Sequence, residues 1–77
     1  MDTGDTMQKI LNCLKEINKI TGLNYQFFMD ELGECAIKVG IRPIDKRWVK
    51  IYSLGHISCV EINIQDRLDA MKELKNA

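Results

Sequence analysis

The chain has 77 residues, and its 11 Lys and Arg offset its 11 Asp and Glu, so the formal net charge is zero. That balance argues against a protein that coats duplex nucleic acid or an anionic membrane, since both require a basic excess. No apolar run approaches the roughly 20 residues of a membrane helix, and Met1 is followed by Asp2, Thr3, Gly4 and Asp5 where a secretory leader would be basic and then apolar.

The length reads as one domain, residues 1–77, with residues 1–4 as a loose tail. Its core is expected to be thin, because a domain of this size buries only about 60 % of its unfolded surface. Small chains often add disulfides, a metal or a partner subunit. The three cysteines, Cys13, Cys35 and Cys59, are odd in number and contain no Cys-x-x-Cys pair. That spacing predicts structural thiols, with no disulfide framework, metal or other cofactor, in a reducing cytoplasm. Self-association is the support that remains.

The first helix is expected to start after Asp5 or Thr6, with Asp5 and Gln8 at capping-box spacing. Met7, Ile10, Leu11, Leu14 and Ile17 then recur at helical spacing, with Cys13 and Ile20 at the margin. Gly22 ends the helix, and Leu23 follows as the apolar contact of a Schellman ending.

From Asn24 the period changes to two. Tyr25, Phe27 and Met29 form one face of a strand, and Cys35, Ile37, Val39 and Ile41 one face of the next. A three-residue loop of Leu32, Gly33 and Glu34 would pair Met29 with Ile37, Phe27 with Val39 and Phe28 with Lys38. Pro43 ends the second strand. A third strand is expected over residues 46–54, with Val49, Ile51 and Ser53 inward. Gly55 and His56 have the order of a type II′ hairpin turn into a fourth strand at residues 57–62, which sets Lys50 opposite Glu61 and turns Val60 and Ile62 inward. Asn63 then caps a last helix with the apolar stripe Ile64, Leu68, Met71 and Leu74. The expected fold is an α+β two-layer sandwich in the order α-β-β-β-β-α, a four-stranded antiparallel meander with both helices on one face.

The uncovered sheet face would carry Phe28, Lys38, Arg42, Trp48, Lys50, Tyr52 and Leu54. An exposed aromatic and basic patch reads as an interaction face. The expected function is a small non-enzymatic protein-interaction module, an adaptor, chaperone-like holder or inhibitor, acting as a homodimer on a protein partner. The alternative is single-stranded nucleic-acid binding by base stacking on the same face. Catalysis finds no support: His56 is the only histidine and sits in a predicted turn, and no phosphate-binding loop precedes a helix.

The helix, strands, helix outline resembles double-stranded RNA-binding domains, but Gln65, Asp66, Arg67, Leu68 and Asp69 stand where that family has a basic helix start. Over about half the chain, the helix ending at Gly22 and Leu23 and the strands around an acidic-Gly turn resemble the first half of type III secretion chaperones. That resemblance implies a dimeric, protein-binding role.

Overall fold

The computed structural model describes residues 3–42 and 47–76, with side chains over 4–40 and 50–75. Helix α1 (Thr3–Thr21) is followed by strands β1 (Gln26–Met29), β2 (Glu34–Arg42) and β3 (Arg47–His56), a 3₁₀ turn (Ile57–Cys59) and helix α2 (Val60–Asn76). The strands form one antiparallel sheet in the order β1-β2-β3. The fold is α+β, as expected, but among the described residues the sheet has three strands, not four.

Helix α1 begins at Thr3, so Gly4 is helical and Asp5 lies in the first turn, inside the helix it was expected to cap. Residues 1–2 of the expected tail lie outside the described residues. The buried stripe is Ile10, Cys13 and Ile17, with Leu14 and Ile20 packed at its edge. Met7 and Leu11, expected on that stripe, are exposed. At about 100° per residue, Leu11 sits more than a quarter-turn from the line joining Ile10 and Ile17.

Gly22, at φ +71°, ends the helix, and its N–H donates to Asn18 O at 2.9 Å. This is the single-bond left-handed cap and not the expected Schellman pair. The Leu23 N–H donates instead to Thr21 Oγ1 at 3.2 Å. The Asn18 side chain then holds the next strand at two points. Its Oδ1 accepts from Tyr25 N at 2.7 Å, and its Nδ2 donates to Tyr25 O at 3.2 Å.

The first hairpin has a three-residue loop, but one residue earlier than expected: Glu31, Leu32 and Gly33. Asp30 closes it, with its N–H donating to Glu34 O at 3.0 Å and its O accepting from Gly33 N at 3.1 Å. Asp30 Oδ1 also accepts from the Leu32 and Glu34 amides, both at 2.9 Å. This side chain fixes the turn start, and Gly33 at φ +82° takes the last loop position, where a left-handed residue is needed. Moving the loop by one residue moves the pairing by two. Met29 therefore faces Cys35, Phe27 faces Ile37 and Phe28 faces Ala36. The faces keep their expected sides because the shift is even.

Strand β3 departs most from expectation. Ile37 pairs with Tyr52 and Lys38 with Ile51. Tyr52 and Leu54 thus share the inward side of Ile37, Leu54 being 1 % exposed, while Ile51 is 57 % exposed and Ser53 is exposed too. The expected faces of this strand are reversed. The cause lies at Gly55: its φ is +71°, as a turn glycine requires, but it serves a bulge and not a hairpin. Cys35 pairs with Gly55 and Ala36 with Ser53, leaving Leu54 as the extra residue, and β3 runs on to His56.

No fourth strand follows. Residues 57–59 form the 3₁₀ turn and α2 starts at Val60, so Lys50 faces Val39 and Glu61 lies on the helix. Val60 is buried, but Ile62 is 69 % exposed. Asn63 is a helical residue whose Nδ2 donates to Leu54 O at 2.6 Å. Ile64, Leu68 and Met71 form the expected buried stripe, whereas Leu74 is 77 % exposed.

The two helices lie side by side and point the same way. Lys9 Nζ donates to Gln65 Oε1 at 2.6 Å, a separation of 56 residues along the chain. Farther along both helices, Glu16 and Lys72 form an ion pair at 3.4 Å with that same separation (72 − 16 = 56). Equal offsets at two successive contacts define parallel helices. Their buried stripes join Tyr25, the Cys35, Ile37 and Val39 side of β2, and Leu54 in one core cluster.

The hairpin tip docks on the junction of β3 and α2. The Ile57 N–H donates to Gly33 O at 2.8 Å. A Cβ at Gly33 would stand 2.8 Å from His56 Nε2, and His56 caps the 3₁₀ turn by accepting from Ser58 N at 3.1 Å. Gly33→Ala therefore combines a left-handed penalty of about 1–2 kcal/mol with displacement of a cap of about 1 kcal/mol. Gly22→Ala meets nothing within 4 Å and should carry the left-handed penalty alone. Urea unfolding should rank Gly33→Ala as the more destabilising, and the excess should vanish in a His56→Ala background. An excess that survives would show that His56 does not constrain Gly33.

Candidate functional site

Of the seven residues expected on one sheet face, the five whose side chains are described divide between its two sides. Phe28 and Lys38 lie on the side turned away from the core cluster, with Lys38 Nζ 4.8 Å from the Phe28 ring centroid. Tyr52 and Leu54 are on the opposite side, and Leu54 is core. Lys50 is exposed at the rim of that same side. The side chains of Arg42 and Trp48 lie outside the described residues. Phe28 and Tyr52, being on opposite sides of the sheet, form no continuous stacking platform.

Lys50 and Tyr52 belong instead to an open cleft of about 390 Å³. It lies where the two parallel helices end beside β3. Ile20, Thr21 and Leu23 supply one wall, Met71, Leu74 and Lys75 another, and Tyr25, Tyr52 and Lys50 the sheet side. The local causes are those of the fold. Gly22 turns the chain out of α1, the Asn18 clasp sets Tyr25, and the parallel helices bring Leu23 and Leu74 to one end.

The aromatic side is a linked group. The Tyr25 and Tyr52 rings are 5.9 Å apart at 44°. The Arg67 guanidinium lies 4.2 Å from the Tyr52 ring centroid, a cation–π contact. Burial above all, then Tyr52 and a hydrogen bond to it, push the Tyr25 hydroxyl above the usual tyrosine pKa, although Arg67 pulls it down. The Tyr25 ring is thus a neutral surface at neutral pH.

Sequence reasoning placed Leu23 at a helix cap, Tyr25 in a strand core and Leu74 on a buried stripe. It had no signal that the helices run parallel, and only that brings the three together. Lys75 lies in the last turn of α2, where positive charge also suits the helix dipole.

Other reactive side chains have structural work. His56 Nδ1 receives the Ser58 N–H and lies 2.9 Å from Ser58 Oγ, which is cap geometry. Cys13 and Cys35 are buried, and burial is the largest cause raising both thiols above their ordinary pKa. Cys59 is exposed in the 3₁₀ turn. Among the described residues, no cluster of three or more His, Cys, Asp or Glu has metal-binding geometry, and no helix is long and apolar enough to cross a membrane.

No protein-family model matches this sequence, and none of the characterised proteins or solved structures compared with it shows a significant match.

The thiolate is the reactive form of cysteine, so a raised pKa and burial both slow modification. In native protein at neutral pH, one thiol should react promptly with an aromatic disulfide reagent, and peptide mapping should place it at Cys59. Cys13 and Cys35 should follow only in denaturant. Equal native rates at all three would contradict the burial described above.

Proposed function

We propose that this protein is a non-enzymatic protein-interaction module, and that its working surface is the aromatic cleft at the helix ends. The observation that carries this reading is the unpartnered apolar rim: Leu23 and Leu74 stand exposed on either side of the two tyrosines. Isolated exposed leucines mean little, but apolar residues gathered around a concave aromatic surface mark an interaction site. Tyrosine also suits such a role, because it offers a large area with few rotatable bonds. The cleft is too open to enclose a small molecule, whose sites bury most of the ligand surface. A two-layer arrangement with both helices on one sheet face is part of the same reading. It is supported by the alternate burial of Cys35, Ile37 and Val39 along β2.

A homodimer is the second part of the proposal. Met7 and Leu11, beside Leu14 at the edge of the core, leave an apolar stripe on α1 that the core does not cover. A second copy can cover it by helix pairing, and zero net charge sets little repulsion against association.

Two measurements test these parts separately. Light scattering after gel filtration should give twice the 8.9 kDa of one chain, and Leu11→Glu should return it to one. A monomeric wild-type protein at micromolar concentration would overturn the dimer.

For the cleft, displayed protein fragments from the source genome can be selected on the wild-type protein. The double variant Leu23→Asp, Leu74→Asp should weaken the selected fragments about tenfold or more, the loss of roughly one interface contact. Selected fragments that bind both forms equally would remove the cleft as the working surface.

A further inference from the structure

Resting on the interaction reading above, we propose that the cleft takes a protein segment in which one large apolar side chain is flanked by carboxylates. The apolar half of this chemistry follows from the walls, where Ile20, Leu23, Tyr52 and Leu74 surround the opening. Its volume of about 390 Å³ is at the low end for a ligand pocket. An open site of that size fits a side chain delivered by a chain running across it.

The acidic half follows from charge. The cleft wall contains Lys50 and Lys75 and no Asp or Glu. Among the described residues, neither lysine has a carboxylate within ion-pair distance, whereas nearby Lys72 is paired with Glu16. Both helices end here, and each C-terminus contributes about half a negative charge. Part of that is already met at α1, where Gly22 N donates to Asn18 O and Thr21 shares its hydroxyl with the chain end. Two full positive charges therefore exceed what the helix ends neutralise, and the surplus sits at the lip of an apolar opening.

Two other grooves among the described residues lack this combination. The groove along α1 has one cation, Lys15, beside Leu11, Leu14 and polar neighbours, and the one beside Phe28 has Asp30 and Glu34 as well as Lys38. Of these three, only the cleft pairs exposed apolar rims with two cations and no carboxylate. The lysines would not supply most of the affinity, because exposed pairs are screened and individually weak. Their effect is selection, since a segment with basic residues beside its anchor meets repulsion.

The test is a random dodecapeptide display library selected on the full chain and analysed by sequencing and fluorescence anisotropy. Selected peptides should be enriched in Asp and Glu beside Leu, Phe or Trp. They should lose about tenfold in affinity for Lys50→Glu, Lys75→Glu, the effect of two attractions turned to repulsions. Because Lys75→Glu also opposes the helix dipole, Lys50→Glu alone and a salt titration of the wild-type protein serve as independent readings. Each should weaken binding severalfold. Peptides that need Leu74 but show no acidic enrichment, no response to Lys50→Glu and no salt dependence would overturn the acidic preference and leave the interaction reading intact. A library yielding no binder that depends on Leu74 would overturn both.

Discussion

One backbone hydrogen bond, from Ile57 to Gly33, settles where the second half of the chain goes. It ties the tip of the first hairpin to the end of β3, two segments that are distant in sequence. With that bond made, Glu34 faces His56 and β3 continues past Gly55. The chain then leaves the sheet as a 3₁₀ turn and enters α2. Gly33 is required twice over, for its left-handed backbone and for the His56 ring lying against it. Asn63 fastens the same corner from the helix side through Leu54 O. A hairpin leading into a fourth strand would have to break this corner.

The direction of α2 follows from the corner, and the cleft follows from that direction. Starting α2 beside the hairpin tip makes it run with α1 and not against it. Parallel helices align their dipoles, an arrangement with no electrostatic advantage of its own. The contacts along the seam offset this with specific pairs, Lys9 to Gln65 and Glu16 to Lys72. Gln65 also donates to Asp69 at 3.0 Å, so the amide is engaged on both sides. Both C-termini then open at one end of the molecule. There Leu23 and Leu74 stand exposed.

Local chemistry in the sequence foretold what local chemistry determines. Gly22 stops α1, Gly33 shapes a three-residue loop, and Ile64, Leu68 and Met71 line the buried side of α2. The misreadings of β3 and of the expected fourth strand share one origin. Gly55 has the positive φ that a type II′ turn requires, and Lys50 and Glu61 have complementary charges, yet both facts fit other structures equally well. A left-handed glycine serves a bulge as readily as a turn. Taking it as a turn exchanged the faces of β3, and so Tyr52 and Leu54 were expected outside. The apolar residues of that segment offered a counterweight, since Trp48, Tyr52 and Leu54 outnumber Val49 and Ile51. The candidate site was less legible than the fold, because its walls come from three elements whose mutual direction no local pattern encodes.

The Asn18 clasp has a mechanical side. Its amide belongs to the last turn of α1, and the backbone it holds belongs to Tyr25 beneath the cleft. Helix ends fray more readily than any other part of a helix, and here fraying would release the tyrosine that supports the binding surface. Whatever fills the cleft must therefore stabilise the end of α1 by the same free energy that ordering that end contributes to binding. Slowed amide hydrogen exchange at Gly22 would report occupancy from a residue outside the cleft wall.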